Sequence, residues 1–161
     1  MMKIRRAEER DIPRILELLV QVNDVHSDGR PDLFIRGKTK YTGDDLKKIL
    51  ADDSTPVFVA VDETDSGDDF VLGYGFAILQ SHVQDNNWPD ITTFYVDDIC
   101  VDEKCRGRHV GKEIYNYLVE YARKIGCYNL TLNVWEKNES AKAFYKSLGM
   151  SVQKIGMETI L

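Results

Sequence analysis

Residues 101–112 read VDEKCRGRHVGK, and this stretch decides which fold the chain adopts. It follows a β-branched run at 92–101 that predicts a strand, and it precedes an amphipathic run at 112–125 that predicts a helix. The first N–H groups of a helix have no partner within the helix, and the helix dipole favours an anion beside them. A strand, a short turn and a helix in this order therefore predict an anion-binding site where the helix begins.

The turn itself carries glycine and positive charge. Gly107 and Gly111 allow the backbone to approach a ligand closely. Three side chains add cationic groups, and arginine can hold a phosphate through two hydrogen bonds: Arg106, Arg108 and Lys112. The spacing of the glycines excludes a Walker A loop and a dinucleotide-binding fingerprint. The turn is thus predicted to hold the phosphates of a ligand of another kind.

The turn resembles the acyl-CoA pyrophosphate loop of the GNAT N-acetyltransferase superfamily, whose pattern is Arg/Gln-x-x-Gly-x-Gly/Ala. Arg106 and Gly111 match its first and last positions, whereas His109 replaces the middle glycine. His109 either contacts a phosphate or is a tolerated substitution in the loop. The resemblance implies that the pyrophosphate of the cosubstrate lies on Arg106, Gly107, Arg108, His109, Val110, Gly111 and Lys112.

A second segment, LNVWEKNESAKAFYKSLGM at 132–150, is similar to the strand, turn and helix that follow in this family. The family pattern is Asn-x-x-Ala-x-x-Phe-Tyr-x-x-x-Gly-Phe, and it is matched by Asn138, Ala141, Phe144, Tyr145 and Gly149, with Met150 in place of the final Phe. Both motifs occur in the expected order. The resemblance implies an α+β GNAT fold, in which helices flank a mixed central β-sheet, and acetyl-CoA as cosubstrate.

The order of predicted elements agrees with that fold. Apolar residues at helical spacing predict a helix from Ile12, and Thr42 with Asp45 predicts a capping box for a second helix. The segment 23–40 between them is predicted to be irregular. Strands are predicted at 3–6, 56–61, 70–80, 92–101, 128–135 and 151–160, and helices at 112–125 and after Asn138. Gly73 and Gly75 predict a bulge or a close backbone approach within the third of these strands.

Composition narrows the class of protein. The chain has 161 residues and is expected to form one domain over 1–161. A formal net charge of −6 disfavours nucleic acid as a partner, and no apolar run approaches the ~20 residues of a membrane span. The N-terminal residues lack the apolar stretch of a signal peptide. Three cysteines without a Cys-x-x-Cys pair favour a reducing cytoplasm and disfavour a metal site.

Acetyl transfer to an amine requires proton transfers and stabilisation of an oxyanion. The resemblance places Tyr145 near the sulfur of the cosubstrate, where its phenol can protonate the leaving thiolate. Asp97 and Asp98, on the strand before the turn, are both candidates for the general base. Side chains of adjacent strand residues point to opposite faces, so only one of the two is expected to face the cleft.

Further positions complete the candidate site. The resemblance implies that backbone groups of Ile99, Cys100 and Val101 contact the cosubstrate, together with Asn138, Ala141 and Phe144. Asn138 could equally serve as a simple helix cap. Candidate residues for binding the acceptor amine are His26, Asp32, Phe34, Trp88 and Asn133; His26 and Trp88 are placed in loops.

The sequence therefore predicts a cytoplasmic N-acetyltransferase in which the amine attacks acetyl-CoA directly in a ternary complex. The acceptor is a small-molecule or peptide amine whose identity stays open, and a homodimer is an option that the resemblance leaves open. One rival mechanism uses Cys100 as a nucleophile, although no His or Asn partner is identifiable for it. The alternative function is a non-catalytic CoA-binding or regulatory module.

Overall fold

The computed structural model of the protein describes residues 1–65 and 67–161. Its helices and strands are, in chain order, β1 Met2–Arg6, α1 Ile12–Gly29, α2 Gly43–Ala51, β2 Val57–Asp62, β3 Phe70–Ser81, β4 Thr92–Val101, α3 Val110–Lys124, β5 Asn129–Leu132 and α4 Glu139–Ser147. Short 3-10 turns precede α1 at Glu9–Asp11 and follow β4 at Glu103–Cys105. No helix in the described ranges is long and apolar enough to cross a membrane.

The five strands form one mixed sheet in the order β1-β2-β3-β4-β5. Strands β1 to β4 pair antiparallel with their neighbours, whereas β5 pairs parallel to β4. Loops connect β2 to β3 and β3 to β4, whereas α1 and α2 lie between β1 and β2, and the parallel strand β5 requires a crossover, which α3 supplies. The predicted α+β layout of a mixed sheet flanked by helices is confirmed.

Two apolar cores lie on opposite faces of the sheet. On one face, α1 and α2 cover a cluster that includes Val59, Tyr74 and Phe76. On the other face, α3 inserts Ile114 and Leu118, both fully buried, against the opposite side of the same strands. Helix α4 contributes no buried residue, so the β5–α4 end of the molecule is covered more thinly than the centre.

The two glycines of β3 mark a close backbone approach, and Gly73 also borders a bulge, since Ala60 pairs with Gly73 and Val61 pairs with Val71, which leaves Leu72 as an extra residue. A Cβ atom on Gly73 would lie 2.6 Å from the carbonyl oxygen of Cys100, and one on Gly75 would lie 3.0 Å from a methyl group of Leu118. Glycine at 73 is therefore required by the backbone of the neighbouring strand β4, whereas a side chain at 75 would push Leu118 of α3 away by a few tenths of an ångström. The prediction of a close backbone approach is confirmed.

Helix α1 is longer than the sequence predicts. It continues to Gly29, so His26 lies in its last turn and not in a loop. Asn, Asp, Ser and Gly lower the helix propensity of this segment, yet a tertiary contact supports it, since the Ser27 hydroxyl donates a hydrogen bond to the carbonyl oxygen of Phe34 at 3.3 Å.

The final strand predicted at 151–160 is not formed. Residues 151–161 have no regular secondary structure, and every one of them is exposed. Alternating apolar residues predicted a strand, but a strand requires a neighbour for its backbone groups, and none of the described strands pairs with this segment.

Candidate active site

A gap opens in the sheet between β4 and β5. The two strands pair over four positions, from Thr93 opposite Asn129 to Val96 opposite Leu132, and no further. The N–H of Asp102 donates to Leu72 on β3 at 2.8 Å, and hydrogen bonding alternates along an antiparallel pair. The N–H groups of Ile99 and Val101 therefore point away from β3, into the gap. A ligand lying in the gap would find backbone donors there, of which the N–H of Ile99 also lies within reach of the Asp98 carboxylate.

A β-bulge in β4 changes the direction of the two candidate bases. Phe76 pairs with Asp98 and Ala77 pairs with Val96, so Asp97 is an extra residue without an opposite number. A bulge interrupts the alternation of side chains. The expectation that the two side chains point to opposite faces is therefore wrong, because both carboxylates lie on the face covered by α1 and α2, where their partners are found.

Asp97 already has two hydrogen-bond partners, of which one is a cation. Its carboxylate accepts hydrogen bonds from Lys40 Nζ and from the Tyr41 hydroxyl, each at 2.7 Å. Burial and the hydrogen bond to Asp97 raise the pKa of Tyr41 to about 12, so its proton stays on the phenol. Asp97 thus fixes the segment before α2 against the sheet.

Asp98 has a different environment. It accepts a hydrogen bond from the hydroxyl of Tyr74 at 2.6 Å, and Tyr74 is fully buried. Burial raises the pKa of Asp98 to about 6, helped by the negative charge of Asp97 and opposed by the hydrogen bond from Tyr74. A carboxylate with this pKa is ionised at neutral pH and is a stronger base than an ordinary aspartate.

The phenol of Tyr145 lies within electrostatic reach of Asp98. Burial raises the pKa of Tyr145 above its ordinary value, and the negative charge of Asp98 raises it further. Its ring stands 6.4 Å from that of Tyr115 and 5.1 Å from that of Phe144, and its hydroxyl forms no hydrogen bond with any residue that the structure describes. Tyr145 therefore keeps its proton near the predicted gap.

The turn before α3 presents free donors. The N-cap position of α3 is His109, which gives no side-chain cap, so the first N–H groups of the helix stay available. His109 adopts a left-handed conformation with φ of 60°, the conformation that favours glycine. Histidine is among the residues that tolerate it, which explains how His109 can replace a glycine here.

The cations of the turn are not equivalent. Arg108 is held by Asp62 at the end of β2, with N···O distances of 2.8 and 3.2 Å. Arg106 and Lys112 form no ion pair within residues 1–65 and 67–161. These two cations are free to meet an anion, whereas Arg108 would have to share or exchange its partner.

Contacts with α4 close the other side of the turn. A Cβ atom on Gly111 would lie 3.3 Å from the ring of Phe144, so the start of α3 and the aromatic side chain of α4 are in contact. Asn138 caps α4, since its Oδ1 accepts a hydrogen bond from the N–H of Ala141 at 3.2 Å. The structure thus shows the capping role of Asn138 and brings Phe144 to the predicted phosphate turn.

Cys100 is poorly suited to nucleophilic catalysis. Its side chain is buried, and Sγ donates to the carbonyl oxygen of Leu18 at 3.5 Å. Burial raises the pKa of the thiol to about 12, with a further contribution from the charge of Asp98. Since the thiolate is the reactive form, a covalent mechanism through Cys100 is disfavoured.

Two of the residues predicted to bind the acceptor amine, His26 and Phe34, lie close together. The rings of His26 and Phe34 lie 5.1 Å apart, and Phe34 meets Trp135 edge-on at 5.3 Å. Burial and the positive charge of Lys40 lower the pKa of His26, which favours its neutral form. A cavity of about 350 Å³ adjoins this aromatic cluster and is also lined by Arg30, Lys137 and Asn138.

The other acceptor candidates are placed differently. Asp32 is bound by Arg30 at 2.7 and 2.9 Å and supports the loop after α1. Asn133 donates to the hydroxyl of Tyr95 at 3.1 Å, just past the end of β5. Trp88 stacks on His82, with ring centroids 4.0 Å apart, in the connection before β4. No described contact joins Trp88 to the cluster of His26, Phe34 and Trp135.

Several residues of the site were not singled out from the sequence. Tyr74 donates a hydrogen bond to the candidate base, yet the only feature of the sequence that distinguishes it is its position between two glycines on an apolar strand. Lys40 and Tyr41 reach Asp97 across 57 and 56 positions, so nothing local points to them. Trp135 lies in the segment 132–150, before the positions that match the family pattern, and the sequence predicted no role for it. Among the described residues, no group of three or more His, Cys, Asp or Glu side chains could hold a metal ion.

Comparison with known proteins gives a family and relatives. The sequence profile described as Acetyltransferase (GNAT) family matches residues 19–150. Over 63 residues the chain is 33% identical to glucosamine 6-phosphate N-acetyltransferase of Arabidopsis thaliana, a stretch that covers 39% of this chain and 40% of that enzyme. A rice relative, glucosamine 6-phosphate N-acetyltransferase 1, matches over 36% of its length. The chain therefore spans about two fifths of the length of these curated relatives.

Solved structures match over almost the entire chain. A tetramutant of the BH1408 protein from Bacillus halodurans is 30% identical, with 99% of both chains covered and a TM-score of 0.90. Glucosamine-6-phosphate N-acetyltransferase from Arabidopsis thaliana is 23% identical, with 99% of this chain and 98% of that chain covered and a TM-score of 0.69. An acetyltransferase of Trypanosoma brucei, 22% identical, gives full coverage of both chains and a TM-score of 0.72. The last two similarities show the fold alone.

Proposed function

We propose, on the premise that this chain belongs to the GNAT acetyltransferase family, that it transfers the acetyl group of acetyl-CoA to a primary amine. The proposal is supported by the electrostatic interaction of Tyr145 with Asp98, which lies on β4 just beyond the last pair with β5, and by the cationic turn that follows β4. We assign residues 1–161 to one such domain and place the protein in the cytoplasm.

The residues present fit acetyl-CoA. The uncapped start of α3, with the free cations Arg106 and Lys112, suits a pyrophosphate. Outward-pointing N–H groups of Ile99 and Val101 suit the amide-bearing arm and the thioester carbonyl of the same molecule. Phe144 and the cap Asn138 border this path from α4. Bound acetyl-CoA would supply the activated acyl group.

Asp98 is the proposed general base. An alkylamine with a pKa of about 10.4 reaches the site as an ammonium ion and must lose a proton before attack. Asp98 is ionised at neutral pH and accepts that proton, whereas Asp97 is occupied by Lys40 and Tyr41. The N–H groups of Ile99 and Val101 are placed to stabilise negative charge on the carbonyl oxygen.

Tyr145 is the proposed general acid. As the new C–N bond forms and the C–S bond breaks, the sulfur acquires negative charge, and the Tyr145 phenol donates a proton to it. Its raised pKa keeps this proton available until the thiolate develops. The phenolate is then reprotonated, and Asp98 releases to solvent the proton that it took from the amine, which restores the enzyme without an acyl-enzyme step.

The acceptor is proposed to be a primary amine on a small molecule or peptide. The cavity beside His26 and Trp135 is bordered by aromatic rings, by Asp28, by Lys137 and by Arg30, which already forms ion pairs with Asp32 and Glu158. Aromatic faces suit the apolar faces of a sugar or side chain, and cations suit a phosphate or carboxylate on it. Glucosamine 6-phosphate, named for the curated relatives, is accordingly the first acceptor to test.

The test measures acetyl-CoA-dependent release of free thiol over a panel of amines. For the best acceptor we expect Tyr145→Phe to lower kcat at least tenfold while the KM for acetyl-CoA changes little. Tyr115→Phe, which removes a neighbouring phenol, is the matched control and should keep most of the activity. Unchanged turnover in Tyr145→Phe would exclude it as the acid.

The same preparation separates the enzyme from a non-catalytic module. Acetyl-CoA at about 100 times its dissociation constant stabilises the folded state by roughly 2.7 kcal/mol, which a melting curve detects. A rise in melting temperature with thiol release on an amine supports the enzyme. A rise without release on any amine of the panel indicates the CoA-binding module, and no rise at all contradicts both.

A further inference from the structure

We propose that Tyr74 is a positioning residue for the general base. Its buried hydroxyl holds one carboxylate oxygen of Asp98 in place and stabilises the ionised form, which takes the proton of the acceptor amine. This inference rests on the proposed function, since it requires Asp98 to be the base. Tyr74 acts through Asp98 and not on the substrate itself.

The hydroxyl of Tyr74 reaches Asp98 diagonally across two strands. In the register of β3 and β4, Tyr74 lies opposite Cys100, and Asp98 lies opposite Phe76. Diagonal neighbours on one face of a sheet lie about 7–8 Å apart, which is within the reach of long and aromatic side chains. Tyrosine spans this separation and donates a hydrogen bond of 2.6 Å to Oδ2 of Asp98. A shorter side chain at position 74 would leave this oxygen without its donor.

The core requires the ring of Tyr74 but not its hydroxyl. Phe76 follows on the same face of β3, is 2% exposed and packs edge-on against Tyr74 with ring centroids 4.9 Å apart. It fills its part of the core without a polar group. A hydroxyl removed from water costs free energy unless it is hydrogen-bonded, and apolar residues of the same shape can replace a buried polar pair at little cost. Packing alone therefore does not explain the pair of Tyr74 and Asp98.

The phenol is the donor in this hydrogen bond. Burial and the negative charge of Asp98 raise the pKa of Tyr74 well above its ordinary value, so the phenol keeps its hydrogen. A carboxylate that accepts a hydrogen bond is stabilised in its ionised form. This effect opposes burial, which is the main cause of the raised pKa of Asp98. Tyr74 thus favours the ionised carboxylate without neutralising it, as a bound cation would.

The surroundings of Asp98 contain other charged and titratable groups. In the part of the chain that the structure describes, the side chains that interact with it are Asp97 and Cys100 of β4, Tyr74 of β3, Lys40 before α2 and Tyr145 of α4. Helix α1 covers the same face and presents the carbonyl oxygen of Leu18, which accepts a hydrogen bond from Cys100. Of these side chains, Tyr74 donates the hydrogen bond, whereas Asp97 and Lys40 act through their charges in opposite directions. Replacing the Tyr74 hydroxyl by hydrogen therefore leaves the charges around Asp98 unchanged.

The substitution Tyr74→Phe removes this hydroxyl and keeps the ring. We expect the fall in log(kcat/KM) to begin about one pH unit higher than in wild type, as judged from the strength of a hydrogen bond to a charged group. The value of kcat/KM should then drop about fivefold at pH 6 and hardly at all at pH 8, because Asp98 is ionised in both proteins at the higher pH. A merely structural defect would lower kcat/KM by the same factor at every pH.

The matched control is Tyr41→Phe, which removes the hydroxyl bound to the neighbouring carboxylate, Asp97. Whatever its effect on the rate, this variant should keep the midpoint of the wild-type pH profile, since the charge of Asp97 remains. Melting curves at pH 7 show whether both variants are folded.

An NMR titration of isotope-labelled aspartate follows Asp98 without turnover, and Asp98→Asn identifies its carboxyl signal. The signal should titrate near pH 6 in wild type and at about pH 7 in Tyr74→Phe. An unchanged titration in Tyr74→Phe, or a loss of rate that is equal at every pH, overturns the inference while the proposed function stands. Wild-type protein that releases no thiol with any amine contradicts the proposed function and with it this inference. The two failures can be told apart because the titration needs no substrate.

Discussion

At the scale of single residues, neighbouring carboxylates on β4 have different roles. Asp97 is bound by a lysine and a tyrosine, and Asp98 is bound by one buried tyrosine that donates a single hydrogen bond. The bulge at Asp97 is what brings both to one face. One extra residue in a strand therefore separates a structural carboxylate from a candidate catalytic one.

The pH dependence of the reaction should report on Asp98. Only its ionised form can accept a proton, and its pKa is about 6. The ammonium form of the acceptor binds and Asp98 takes its proton, so log(kcat/KM) should be nearly flat above about pH 6 and should fall with a slope of about 1 below it. Initial-rate measurements from pH 5 to 8 check this expectation.

The two aspartates provide the control for that profile. Asp98→Asn should lower the rate at neutral pH and give log(kcat/KM) a slope of about 1 over the whole range, because only the small neutral fraction of the acceptor can then react. Asp97→Asn should keep the flat region and move the fall to lower pH, because the charge of Asp97 raises the pKa of Asp98. If Asp98→Asn keeps the wild-type profile, another group is the base.

His109 allows a test of backbone conformation in the phosphate turn. Left-handed conformation costs a residue with a side chain about 1 kcal/mol, and more when the side chain is β-branched. We expect His109→Gly to be at least as stable as wild type and His109→Val to lose about 1–2 kcal/mol. Urea unfolding measures both, and equal stability of the Gly and Val variants would contradict the assigned conformation.

At the scale of elements, the strand, turn and helix around residues 101–112 were readable because each has a local signature. Helix α1 beyond Asn23 was not, because its support comes from Phe34 rather than from its own residues. The bulge in β4 was not readable either, since an extra residue leaves no mark in composition. Motifs thus indicated where the candidate site lies, whereas the different roles proposed for its residues depend on contacts between distant segments.

The two arginines of the predicted phosphate turn should contribute unequally to acetyl-CoA binding. Arg108 is paired with Asp62, and Arg106 is free of ion pairs within the described residues. We expect Arg106→Ala to weaken acetyl-CoA binding about tenfold and Arg108→Ala to weaken it less than threefold, as judged from the strength of charged hydrogen bonds. Titration calorimetry of both variants checks the order, and the reverse order would show that Arg108 leaves Asp62 to bind the ligand.

At the scale of the whole molecule, buried ion pairs fasten the first helix to the sheet. Arg5 on β1 donates to both oxygens of Asp11 at 2.8 and 3.0 Å, and Asp11 is 4% exposed. Although burial opposes it, the hydrogen bonds from Arg5 and from the Glu8 N–H hold the pKa of Asp11 below its ordinary value. Arg14 and Asp102 form a similar link between α1 and the end of β4.

Stability should therefore fall in acid. A carboxyl group whose pKa is lowered by folding stabilises the protein above its unfolded pKa of 3.8, and this contribution is lost as pH falls through the lower folded value. We expect Asp11→Asn to lose about 3 kcal/mol at pH 7 and less at pH 3, where wild type is itself partly protonated. Urea unfolding at both pH values measures this, and a pH-independent difference would contradict the pairing.

The C-terminal end of the molecule is where the sequence was least informative. Residues 151–160 were predicted to form a strand, yet none of the described strands pairs with them. A strand prediction does not identify the neighbour that the backbone groups of a strand need.

Because the pairing between β4 and β5 ends early, neighbouring amide hydrogens of β4 should also exchange with solvent at different rates. The amide hydrogens of Ile99 and Val101 face the gap, while that of Asp102 is bonded to Leu72. In deuterated solvent the first two should exchange rapidly and the amide hydrogens of Cys100 and Asp102 slowly, although all four are consecutive. Acetyl-CoA lying in the gap would slow the exchange of the Ile99 and Val101 amide hydrogens only. The exchange rates, which alternate from residue to residue in the free protein, would then become similar in the complex.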